Sequence, residues 1–139
     1  MQRACVPKVK GIKRILLVDD STDTLAALSA ILRRRGYEVD CASSSETALD
    51  LTENCSFDVV VTDLKMPGLN GIDLIRQLEG IAPRPHFVLI TGYPSEFQSL
   101  AETTPNIIDA LFIKPFDPGL FVRTISEFSP ADPGTHSPR

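Results

Sequence analysis

No apolar run in this chain approaches the roughly 20 residues that a membrane-crossing helix needs. The stretch from Met1 to Lys13 has no hydrophobic segment followed by a small-residue cleavage site, so no secretory signal is expected. Cysteines number three (Cys5, Cys41 and Cys55), an odd count without metal-ligand spacing. They read as reduced thiols of a cytoplasmic protein rather than as a disulfide framework. Acidic residues are missing before Asp19, where Arg3, Lys8, Lys10, Lys13 and Arg14 stand instead. Residues 15–139 therefore hold nine of the fourteen basic residues against all eighteen acidic ones. A body that acidic lacks the clustered Lys and Arg that grip a phosphate backbone, which argues against nucleic acid as a partner. The basic lead reads as a solvated tail. No internal repeat is apparent, and 139 residues suit a single domain with a real core.

What the chain does have is an alternation of strand and helix patterns. Ile15–Val18 is a short apolar run bounded by polar residues, as in a strand buried on both faces. Ser21 can cap a helix running to about Arg35 with Leu25, Leu28, Ile31 and Leu32 on one face. Arg33, Arg34 and Arg35 would favour its C-terminal dipole, and Gly36 stops it. Tyr37–Ala42 alternates like an outer strand, and Ser45 opens a second helix through about Asn54 that buries Ala48, Leu49 and Leu51. Phe57–Thr62 is the most β-branched run and predicts the central strand. A third helix is expected over Gly71 to about Glu79, and a fourth strand over His86–Ile90. A fourth helix follows from Pro94 or Ser95 to about Thr103, then a strand at Leu111–Ile113 and a closing helix from Pro118 to about Phe128. Five such units predict an α/β fold, a doubly wound five-stranded parallel sheet with helices on both faces. The domain boundaries expected are a flexible basic lead over 1–12, one domain over 13–128 and a disordered tail over 129–139.

In an open parallel sheet, functional groups collect at the carboxyl ends of the strands. Asp19 and Asp20, Asp63, Thr91 and Lys114 each follow an apolar strand directly, so the fold would gather them. An isolated Asp-Asp-Ser is usually a helix cap, a lone strand-end Thr a β-former and a lone Lys a solvated cation. Their value is joint. Two carboxylates about 5 Å apart repel by roughly 3 kcal/mol at an effective dielectric near 20, so the cluster calls for a cation. Hard oxygen donors with no His or Cys beside them suit Mg²⁺ and argue against zinc. Asp63 would act as a nucleophile that forms an aspartyl phosphate. The metal, an ammonium and a hydroxyl would then compensate the three equatorial oxygens, the electrostatic help on which phosphoryl transfer depends.

Four segments carry a family resemblance: ILLVDD at 15–20, VTDLKMPGLNG at 61–71, LITG at 89–92 and FIKPF at 112–116. In order and spacing the chain resembles the receiver domain of bacterial two-component response regulators, over about Lys13 to Phe128. The resemblance implies a flavodoxin-like sheet and a switch that takes its phosphoryl group from a histidine kinase or a histidine phosphotransfer protein. Asp63 looks like the phosphoacceptor, Asp20 like a direct metal ligand, and Asp19 like a residue acting mainly through metal-bound water. The carbonyl of Lys65 would complete the Mg²⁺ shell, Thr91 matches the switch hydroxyl and Lys114 the phosphate-binding lysine. Pro115 matches a proline that is cis in the family, and Gly68 and Gly71 are expected to need positive φ. Lys65 and Tyr93 would stand at the pocket mouth and govern the lifetime of the phosphoryl group.

One departure concerns output. The family usually has Tyr or Phe three residues before the lysine, where this chain has Leu111; Phe112 is one residue along and points to the other side of the strand. Output by phosphate relay or by homodimerisation through helix packing is therefore expected to be wired differently. Pro105, Asn106 and a lengthened link before the last strand are a second, smaller departure. Other classes fit less well. A haloacid-dehalogenase-type phosphatase wants a second Asp where Lys65 stands, and a flavodoxin wants a hydroxyl-rich loop where Asp19 and Asp20 stand. A receiver-like binding module would be expected to lack one of the five groups. No effector domain is visible, so the chain reads as a stand-alone receiver or as part of a larger protein.

Overall fold

Branched and aliphatic side chains fill every strand of the core, and in a computed structural model they assemble into one parallel sheet of order β2-β1-β3-β4-β5. The structure describes residues 11–92, 95, 98 and 107–128. Its strands are β1 (Arg14–Val18), β2 (Glu38–Ala42), β3 (Val59–Asp63), β4 (His86–Thr91) and β5 (Ala110–Ile113). Its helices are α1 (Thr22–Arg34), α2 (Ser45–Asn54), α3 (Gly71–Leu78) and α4 (Pro118–Glu127). The α/β sheet expected from the sequence is the one observed. The helix expected over 94–103 lies largely outside the described residues. So do Tyr93, Pro105, Asn106, the lead before Gly11 and the tail from Ser129.

Strand alternation divides the core into two layers. Leu16, Val18, Val60, Phe87 and Leu89 face α2 and α3, meeting Ala48, Ile72, Ile75 and Leu78. Ile15, Leu17, Val59, Val61, Val88 and Ile90 face α1 and α4, meeting Leu25, Leu32, Phe121 and Ile125. β3 is central and fully buried; Thr62 lies between the β1 and β4 ladders, and the last residue, Asp63, pairs with Ile90 of β4.

Helix ends follow local chemistry. Ser21 caps α1 by accepting the Thr24 N–H at 3.2 Å. The helix closes with Gly36 at φ +90°, the N–H groups of Gly36 and Tyr37 returning to the carbonyls of Arg33 and Leu32. At α2 the cap is Ser44, which accepts the Thr47 N–H at 3.1 Å, and Ser45 is the first helical residue. The cysteines differ from expectation. Cys41 is free and exposed, but Cys55 is disulfide-bonded, because sequence spacing carries no information on which sulfurs meet in space. Among the described residues no helix is long and apolar enough to cross a membrane.

Candidate functional site

Four of the five strands, β1, β3, β4 and β5, end by delivering polar groups to the carboxyl edge of the sheet. Asp19 follows β1 with its N–H bonded to the Ala42 carbonyl of β2, and its Oδ1 accepts the Ser21 N–H at 2.9 Å. Its carboxylate is thereby fixed toward the sheet, while Asp20 beside it is exposed. Asp63 ends β3, in register with Ile90 of β4, and is 8% exposed. Thr91 ends β4 fully buried, and its carbonyl accepts the Lys114 N–H at 2.8 Å. The Lys114–Pro115 peptide is cis, as the family pattern implies.

The three carboxylates converge: one oxygen from each of Asp19, Asp20 and Asp63 lies within 4.8 Å of the others. Lys114 Nζ stands 3.6 Å from Asp19 Oδ2 and 3.6 Å from Asp63 Oδ1. Burial, and after it the charge of Asp19, pushes the Asp63 carboxyl above its ordinary range, against an opposing pull from Lys114. One ammonium does not offset three carboxylates. The donor set is all oxygen, clustered and partly buried, which fits a hard divalent cation such as Mg²⁺. Above it opens a cavity of about 500 Å³ lined by Asp20, Asp63, Lys65, Gly92 and Lys114. Lys65 is exposed at its wall, whereas Thr91 lies beneath the surface and Gly92 forms the wall at the end of β4. Asp19, Asp20, Asp63 and Lys114 are thus brought together as expected, with Lys65 and Thr91 at the margin.

Two residues hold Asp63 from behind. The Thr62 hydroxyl, fully buried, donates to the Asp63 carbonyl oxygen at 3.0 Å. Gly71 was expected to need positive φ, and that expectation is corrected: among the described residues only Gly11, Gly36 and Gly68 have it. Gly71 is required for another reason. A Cβ there would overlap the Asp63 carbonyl oxygen and stand 3.0 Å from the Asp63 carbonyl carbon and from Leu89 Cδ1. The first turn of α3 therefore packs onto the peptide of Asp63 with no room for a side chain. Sequence reasoning passed over Thr62, whose only signal was a hydroxyl inside a run of valines.

β5 resolves the departure at Leu111. Leu111 and Ile113 are exposed, while Phe112 is buried, meeting Phe116 at a tilt and Phe121 edge-to-face at centroid separations of 5.3 and 5.5 Å. The aromatic ring next to the output position is committed to the core on the α4 side.

Comparison with known proteins agrees with this geometry. The model of the response regulator receiver domain matches residues 15–126. The regulatory protein AtoC of Escherichia coli (strain K12) is 34% identical over 107 residues, which are 77% of this chain and 23% of AtoC. The chain thus spans about a quarter of that relative's length. A receiver domain protein (CheY-like) from Methanospirillum hungatei JF-1 superposes with a TM-score of 0.77 at 32% identity, over 84% of this chain and 93% of that one. The response regulator TrrA of Thermotoga maritima, solved in complex with Mg(2+)-BeF, gives a TM-score of 0.74 at 27% identity, over 84% and 98%.

Proposed function

This chain belongs to the response regulator receiver domain family, and on that premise we propose that Asp63 is its phosphoacceptor, fed by a histidine kinase or a histidine phosphotransfer protein. A carboxylate oxygen of Asp63 attacks the phosphorus of the donor's phosphohistidine. The new O–P bond forms as the N–P bond breaks, and the imidazole leaves with the electron pair. Asp19, Asp20 and Asp63, with the carbonyl of Lys65, would hold Mg²⁺, which supplies positive charge to the phosphoryl oxygens. The Lys114 ammonium, already within 3.6 Å of Asp63, pairs with a second oxygen, and the Thr91 hydroxyl serves the third. No separate substrate is turned over; the domain promotes its own phosphorylation and hydrolysis.

Convergence of three carboxylates and one ammonium around a buried strand-end aspartate is the observation that carries this reading. The Mg(2+)-BeF complex of TrrA supports it by likeness of fold. Output reaches a partner, a phosphate relay or a second copy across the face that bears Leu111 and Ile113, without an aromatic side chain at the relay position. The test is intact-mass spectrometry after incubation with acetyl phosphate and Mg²⁺. Wild type should gain one phosphoryl group and Asp63→Asn none; equal gains in both would sink the assignment.

A further inference from the structure

We propose that Ser45 is a positioning residue for this site, its hydroxyl tethering the loop that follows the acceptor to the start of α2. The inference rests on Asp63 being the acceptor. Three serines, Ser43 to Ser45, stand at the start of α2, and as sequence any of them could cap it. Ser44 does so, and this frees the next hydroxyl for a longer reach. Ser45 Oγ donates to the Leu69 carbonyl at 3.0 Å, a bond across 24 positions of sequence. Ser45 is 3% exposed, so water does not compete for the hydroxyl.

The bond lands on a segment that needs it. Residues 64–70 connect Asp63 to α3 and carry Lys65, Pro67 and Gly68, all exposed, with Gly68 at φ +80°. The ends of the loop are closed by Leu64 N–H to the Ile90 carbonyl and Gly71 N–H to the Leu64 carbonyl, both at 2.8 Å. Met66 is buried in the core beneath it. Ser45 adds a restraint from a different element, α2, which packs over β1 and β2 beside α3, and fixes the loop against sliding over the cavity. Because the Lys65 carbonyl is assigned to the metal, the tether sets the position of a ligand that Ser45 never touches.

The test uses the full chain with two variants. Ser45→Ala removes the tether, and Ser44→Ala removes the α2 cap while leaving the tether, which controls for helix stability. In chelator, hydrogen exchange over residues 65–70 should rise about three- to tenfold in Ser45→Ala relative to β3, the range that one neutral hydrogen bond accounts for. Calorimetric titration should show Mg²⁺ affinity falling by a similar factor in Ser45→Ala and by less than twofold in Ser44→Ala. Unchanged loop exchange, Mg²⁺ affinity within 1.5-fold of wild type, or equal losses in both variants would overturn the tether. A wild type that binds no Mg²⁺ would instead overturn the metal reading on which the proposal rests.

Discussion

The two edges of the sheet use the same residue type in opposite ways. At the amino edge, Asp58 stands one residue before β3 and Asp109 one residue before β5. Asp58 gives its N–H to the Arg14 carbonyl and accepts the Arg14 N–H on Oδ2, each at 2.8 Å. Asp109 repeats the pattern with Phe87, again at 2.8 Å in both directions. Each carboxylate substitutes for a strand carbonyl that the ladder lacks at its first rung, so the local demand is met within the fold. At the carboxyl edge three carboxylates face one another, and burial pushes Asp63 above its ordinary range. There the demand is left for something from outside. Burial of an aspartate is therefore no mark of function in this protein. The mark is burial beside other carboxylates, with fewer cations than charges.

That contrast can be broken most forcefully at Asp58. Asp58→Ala strands the buried Arg14 N–H and should cost about 3 kcal/mol, as for loss of a buried bond to a charged acceptor. Denaturant unfolding should show this, while Asp63→Asn without metal should be neutral or more stable than wild type. Losses of equal size in the two would erase the difference between the edges. Next in size, Mg²⁺ at a hundredfold its dissociation constant should stabilise wild type by about 2.7 kcal/mol, since it binds only the folded cluster. Asp58→Ala should keep that gain in thermal melts, and Asp20→Ala should lose most of it. A smaller effect is expected of Asp20→Ala in chelator, where removing one of three like charges should leave the melting temperature unchanged or raised. A clear drop would show that the cluster is already compensated. The smallest concerns the cavity wall, where Lys65→Ala should speed autodephosphorylation by more than about twofold, a barrier change above roughly 0.4 kcal/mol. The rate is followed after the donor is removed; a change below twofold would show that Lys65 does not guard the water path.

How much of this was legible in the sequence depends on the range of the interaction. Asp19, Asp20, Asp63, Thr91 and Lys114 could be found because each follows its own apolar run, and parallel strands carry such positions to one edge. The inward turn of Phe112 was legible for the same reason, since alternation along β5 is local. Gly71 was noticed for the wrong cause. Its neighbour is the Asp63 carbonyl, reached only when α3 folds back, and no local pattern reports that approach. Asp58 falls inside the run expected as the central strand and Asp109 just ahead of the last one, and no local pattern reports their partners, Arg14 and Phe87, which lie on other strands. Ser44 and Ser45 are equivalent as sequence. Only the position of Leu69 separates a cap from a tether. The disulfide at Cys55 likewise depends on a meeting that spacing does not encode.

Lys13 makes a final point. Its ammonium, nearly buried, donates to the carbonyls of Ile125 and Ser126 at 2.8 and 3.0 Å, so the residue that leads into β1 is fastened to the last turn of α4. Positions more than 110 residues apart in sequence are thereby neighbours, and the backbone completes a nearly closed circuit. A circuit of this kind can be cut and rejoined. A short linker across the join, with new ends opened at the exposed turn after α3, should give a permuted protein with the same sheet and the same carboxylate cluster. The join also lies at the opposite pole from Asp63. Whatever chain is spliced there leaves the mouth of the carboxylate cavity open, and the domain is suited to being threaded into longer polypeptides as a unit.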